Sequence, residues 1–106
     1  MSHPVLDRVN ADQDRRIAAS LRRDPRRLRV ARANLGRWIA ADGRRVRPAF
    51  REWHAVLQRL TAREIAAFLC GETPMARRLR QSSPLAGILS DAERRAIRRR
   101  YEKTGA

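Results

Sequence analysis

Apolar residues recur along this chain at spacings of three and four, the signature of helices with one buried face. Leu28, Ala31, Leu35, Trp38 and Ile39 fall on one such face. Phe50, Trp53, Leu57 and Leu60 form a second, Ile65, Ala66, Phe68 and Leu69 a third, and Ile97 with Tyr101 a fourth. Ile17, Ala18 and Leu21 give a first helix near 11–23 its inner side, with Asn10 and Gln13 as its cap. Residues 1–9 read as a loose lead-in. No stretch shows the strict alternation of a half-buried strand.

Start and stop signals place these helices. Asp24 suits an N-cap with Pro25 at the first helical position, where no backbone N–H is needed. Asp42-Gly43 ends that helix, Arg44, Arg45 and Arg47 make a basic loop, and Pro48 opens the next. Thr61 with Glu64, and Ser90 with Glu93, have the spacing of capping boxes. Gly71 suits a left-handed helix end, Thr73-Pro74 starts a further short helix, and Ser83-Pro84 restarts the chain as a turn or short helix through Leu89. The pattern predicts an all-α fold, a compact bundle of five or six short helices in a single domain spanning 1–106.

Charge changes this picture most. The 106 residues carry 25 Lys and Arg against 11 Asp and Glu, a net charge of +14. Residues 1–60 hold 15 cations and 6 acids and residues 61–106 hold 10 and 5, so the excess belongs to the whole domain and not to a tail. All the cations but Lys103 are arginine, which a GC-rich coding bias explains without function. The excess itself is different, because self-repulsion disfavours the compact state and a polyanionic partner offsets it. Nucleic acid is the first such partner, then an anionic membrane surface, then an acidic protein.

The stretch 61–82 runs helix, tight turn, short helix, and it resembles the helix-turn-helix superfamily of DNA-binding proteins. Ala66 supplies that family's small residue in the first helix. Cys70 stands where its turn glycine is expected, with Gly71 one residue late, and Ala76 and Leu79 meet the later apolar positions. The resemblance implies that Pro74–Gln81 is a recognition helix lying in the major groove. Thr73, Arg77, Arg78, Arg80, Gln81 and Ser82 would then meet DNA, since arginine bonds guanine and glutamine bonds adenine in two places, and serine bonds phosphate. Arg98 and Arg99, on the last helix, are the expected phosphate contacts. The same residues also suit two core helices joined by a capped turn. The stretch through Ile88 and Leu89 to Arg94 resembles small bacterial regulators from two-gene modules, autoregulating antitoxins among them.

Enzymatic chemistry finds little support. His3 lies near the start, and His54 beside a core stripe suits a partly buried structural histidine. Cys70 suits a small buried hydrophobe, and both tryptophans suit the core. Asp12, Asp14, Asp24, Glu64, Asp91 and Glu93 sit at expected helix starts, where capping accounts for them. No phosphate-cradling glycine loop, metal-ligand spacing or cofactor motif is present. The expectation is a protein that is not an enzyme, uses no cofactor or metal, and binds nucleic acid, duplex DNA first. An antitoxin or inhibitor gripping an acidic partner protein is the alternative, and a homodimer is compatible with either. No apolar run reaches the roughly 20 residues that cross a bilayer, the N-terminal residues lack the features of a signal peptide, and one cysteine forms no internal disulfide, all of which favours the cytoplasm.

Overall fold

The computed structural model describes residues 4–102, with side chains from Arg8 onward, as six α-helices joined by short turns, with no strand among the described residues. The helices are α1 (Pro4–Arg23), α2 (Leu28–Asp42), α3 (Pro48–Arg59), α4 (Ala62–Leu69), α5 (Pro74–Leu79) and α6 (Asp91–Glu102). Single 3-10 turns lie at Pro25–Arg27, Arg80–Ser82 and Ala86–Ile88. The all-α bundle is as the periodicity predicts.

The expected stripes converge on one core. Ile17, Ala18, Leu21, Leu28, Ala31, Leu35, Phe50, Trp53, Leu57, Ile65, Ala66, Leu69, Leu79 and Ile97 are all buried there. Leu85, Ile88 and Leu89, from the segment between α5 and α6, join them, so an irregular stretch closes one side of the bundle. α1 packs most extensively along α4 and also against α6, while α2 lies against α3 and the Ala86–Ile88 turn.

The start of the chain departs from expectation. α1 begins at Pro4, so residues 4–9 are helical and Asn10 and Gln13 cap nothing; residues 1–3 lie outside the described residues. Pro4 fits a first helical position, and one long helix buries Ile17, Ala18 and Leu21 as well as the expected short one. Asp12 and Asp14 therefore sit in mid-helix. Asp12 is buried and takes ion pairs from Arg15 at 3.8 Å, Arg16 at 3.7 Å and Arg100 at 3.4 Å, with the Tyr101 hydroxyl at 3.5 Å. It joins α1 to α6, a role that no capping argument supplies.

The other ends follow the expected chemistry closely. The Asp24 carboxylate accepts from Arg26 N, and α2 follows one 3-10 turn later. Both capping boxes form: Thr61 N donates to Glu64 Oε1 at 3.0 Å and Glu64 N to Thr61 Oγ1 at 3.2 Å, and Ser90 and Glu93 do the same at 3.1 Å each way. Gly43 takes the left-handed conformation (φ 65°) that ends α2. Gly71 does not. Cys70 ends α4 with a φ of −95°, and the chain leaves the helix without a left-handed residue.

Trp53 is the centre of the core, fully buried, with Phe68 edge-on to it at 5.8 Å. Its indole Nε1 donates to the carbonyl of Leu79, the last residue of α5, at 2.8 Å. Trp38 is different. It is only partly buried, tilted at 37° against Phe50 with ring centres 5.4 Å apart, near the end of α2 at the edge of the core. The expectation of two core tryptophans holds fully for Trp53 and in part for Trp38, which packs against the core from its edge.

Replacing Trp53 with alanine is expected to cost about 3–5 kcal/mol, a large share of the ~5–15 kcal/mol typical of a domain. Trp53→Phe, which keeps a ring but leaves the Leu79 carbonyl without its donor, should lose about 1–3 kcal/mol. Urea unfolding followed by circular dichroism measures both, and an alanine variant as stable as the parent would remove Trp53 from the centre of the core.

Candidate nucleic-acid interface

The residues that sequence analysis groups after Thr73 remain together in space, but each has a distinct environment. The Thr73 hydroxyl accepts from Ala76 N at 3.1 Å, so it caps α5 as its type and position predict. Ala76 and Leu79 face inward and are buried, while Met75 stays 40% exposed. Arg77 and Arg78 project outward. Arg77 forks onto Glu72 Oε2 through Nε at 3.2 Å and Nη2 at 2.7 Å. Arg78 makes a two-pronged pair with Glu52 of α3, at 2.5 and 2.9 Å. The hydrogen bonds from these arginines are the main reason that both glutamates hold their charge more firmly than usual and that the Arg78 guanidinium rises. Both pairs lie at the surface, where an ion pair opens at small cost.

Arg80 has another task. Its Nη1 donates to the carbonyl of Leu69 at 2.9 Å and to that of Gly71. These are carbonyls at the C-terminal end of α4, which lack helical partners and carry the negative end of the helix dipole. Arg80 therefore clamps the end of α5 to the end of α4, a structural role beside the DNA contact expected of it. It takes over the work expected of a left-handed Gly71.

Gln81 and Ser82 lie on the 3-10 turn that extends α5, and neither side chain makes a hydrogen bond among the described residues. They line an open cleft of about 390 Å³ whose other walls are Trp38, Ala41, Asp42, Arg47 and Phe50. Arg47 sits over the Phe50 ring at 5.1 Å and pairs with Asp42 at 3.5 Å. Asp42 Oδ2 also accepts from Arg47 N at 3.0 Å, which fixes the basic loop against the end of α2. Arg44 and Arg45, at the tip of that loop, are exposed and unpaired among the described residues. The helical stripe placed Trp38 and Phe50 on inner faces but carried no information on how far along each helix the core extends.

Arg98 and Arg99 lie exposed on α6 without partners among the described residues. The main packing partner of α6 is α1.

A second, larger cleft of about 930 Å³ lies between α1 and the α4–α5 turn, lined in part by Asp14, Cys70, Glu72, Arg77, Arg80 and Gln81. Burial raises the Asp14 carboxyl to about 6, against a smaller opposing pull from Arg80. Cys70 is exposed, contrary to its expected burial, and its Sγ lies 3.9 Å from the Asp14 carbonyl. Partial burial first and the Asp14 charge second push the thiol up, which keeps it protonated and a poor nucleophile. His54 is likewise exposed, since it sits one position beyond the Trp53 stripe. Among the described residues no group of three His, Cys, Asp or Glu could hold a metal ion. Comparison with protein-family models, curated proteins and solved structures found no match.

Arg80→Ala should destabilise the domain by about 1–3 kcal/mol, the range for charged hydrogen bonds to buried acceptors, whereas Arg77→Ala and Arg78→Ala should leave urea midpoints nearly unchanged. Equal losses for all three would refute the clamp.

Asp14 makes a pH-dependent prediction. Its folded carboxyl holds a proton up to about pH 6, while its ordinary value is 3.8. Between those values the unfolded chain binds fewer protons than the folded one, so this group's contribution falls as pH rises through that window. Asp14→Asn should therefore gain stability relative to the parent at pH 7.5 and show little difference at pH 4. Thermal melts of both proteins at the two pH values test it, and a variant less stable than the parent at pH 7.5 contradicts it.

Proposed function

We propose that this chain is a small nucleic-acid-binding protein, a regulator that binds duplex DNA through its α4–α5 helix-turn-helix-like unit. The observation that carries the proposal is the cationic excess of +14, together with where its arginines are left over once the fold has used its share. Arg29, Arg44, Arg45, Arg51, Arg59, Arg63, Arg95, Arg98 and Arg99 are exposed, and their side chains make no hydrogen bond or ion pair among the described residues. Free guanidinium groups spread over a rigid domain are suited to phosphates, which dominate affinity for nucleic acid.

In this proposal Arg77, Arg78 and Gln81 face the major groove from α5 and its 3-10 extension. The glutamates that hold Arg77 and Arg78 keep the side chains extended, and exchange of a surface carboxylate for a base edge or phosphate costs little. Arg80 and Thr73 support the unit from within. An acidic protein partner is less favoured, because Val30 and Met75 alone among the described residues expose a large apolar side chain. Tight protein interfaces are usually anchored by buried aromatic or apolar side chains at their centre.

Binding should be strongly salt dependent. About 6 phosphate contacts give a slope of log K on log salt near −5, measurable on duplex DNA between about 50 and 200 mM salt. Arg98→Ala should weaken binding to all sequences alike and flatten the slope by about one unit. Arg77→Ala and Arg78→Ala should instead relax preference at single positions of a selected site, by about tenfold. Absence of binding at the lowest salt would remove nucleic acid from the function. Equal losses for all three variants on selected and random duplexes would remove the recognition role of α5.

A further inference from the structure

We propose that the cleft between the end of α2 and the start of α3 holds one unpaired base of a nucleic acid, stacked on Trp38. This inference rests on the nucleic-acid reading above and goes beyond it, because groove binding by α5 uses no aromatic ring.

The walls of the cleft suit a base better than a bare anion. Trp38, Ala41 and Phe50 make an apolar floor, and Trp38 retains exposure where a core ring would have none. Its volume, about 390 Å³, lies at the small end of ligand sites. The one cation in the wall, Arg47, is already neutralised by Asp42 and rests on Phe50, so it stiffens the floor and does not act as a free phosphate hook. At the rim stand the Gln81 amide and the Ser82 hydroxyl, both unpartnered among the described residues. A primary amide presents a donor and an acceptor side by side, which matches the edge of a base.

Charge complementarity selects the occupant. Arg44 and Arg45 belong to the loop that bounds the cleft, and Arg51 follows Arg47 by one helical turn on α3; all three are exposed and unpaired among the described residues. A base in the cleft would carry its flanking phosphates toward these guanidinium groups. Aromatic floor, polar rim and adjoining cations together are the arrangement by which proteins hold single strands. Asp42 fixes it in advance, through its bonds to Arg47 backbone and side chain.

Trp53 is fully buried, so any change of tryptophan fluorescence on adding an oligonucleotide reports Trp38. The experiment titrates the full chain with single-stranded oligodeoxyuridylate and oligouridylate of about 10 nucleotides, within the usual site size, and with a DNA duplex. Quenching by the single strands, and shielding of Trp38 from acrylamide, are expected. Trp38→Ala should weaken single-strand binding by about 5- to 100-fold and leave duplex affinity within about twofold. Gln81→Ala, an exposed position that does not threaten folding, should weaken single-strand binding without loss of stability. Arg44→Ala with Arg45→Ala should lower the single-strand salt slope by about 1.4. A stronger response to the ribose strand would add a contact to its 2′-hydroxyl, and equal responses would assign the site to the base alone; both support the proposal. Single-strand binding without quenching, or unchanged by Gln81→Ala, overturns it. Duplex binding with no single-strand binding overturns this inference and leaves the DNA-binding proposal standing. Binding of neither removes both.

Discussion

The hydrogen bond from Trp53 Nε1 to the Leu79 carbonyl is the constraint on which the candidate interface depends. A six-residue helix such as α5 has almost no stability of its own, because a helix that short barely repays its nucleation. It is capped at its start by its own residues and held at its far end by a group from elsewhere. Thr73 and Pro74 set its start, and Ala76 and Leu79 bury its inner side. At its far end the indole takes the Leu79 carbonyl while Arg80, one residue on, takes the terminal carbonyls of α4. Because the same tryptophan is the centre of the core, the orientation of α5 is tied to the packing of the whole bundle.

Beside the arginines held in ion pairs with carboxylates, two populations stand apart by what they do. Arg27 donates to the buried Ser20 hydroxyl at 2.6 Å, Arg32 to the Leu57 carbonyl at 3.1 Å, and Arg80 to the end of α4. Arg32 and Arg80, as long and always-charged donors, finish helix ends that a small domain has few other means to satisfy, and Arg27 satisfies a buried hydroxyl. The second population is exposed and unpaired among the described residues, and it carries a self-repulsion that works against the compact state. A coding preference for arginine over lysine does not account for the second population, because it leaves the shortage of carboxylates unexplained.

Local chemistry was legible in the sequence and long-range pairing was not. Thr61 with Glu64, Ser90 with Glu93 and Thr73 before Pro74 are decided within a few residues and formed as read, whereas Asp24 before Pro25 starts a 3-10 turn that α2 follows at Leu28. The 3.6-residue stripes named nearly every core side chain. The start of α1 escaped because Asn10 and Gln13 mimic a cap inside a helix that tertiary packing continues. Arg78 with Glu52 and Asp12 with Arg100 are 26 and 88 residues apart, and no spacing rule joins them. The largest change to the site came from Trp38. Its position on an apolar face was clear, but whether that face stays covered depends on what packs over the last turn of α2. There the ring is covered on one side by Phe50 and the core and left open on the other to the cleft with Gln81 and Ser82.

The central claim is that the unpaired arginines exist for nucleic acid, and the most direct measurement is of what the protein carries when purified natively at low salt. The account predicts a bound fraction absorbing at 260 nm that nuclease digests and that high salt releases, leaving soluble, folded protein. Protein free of nucleic acid and held in a stoichiometric complex with an acidic protein that survives nuclease would contradict it.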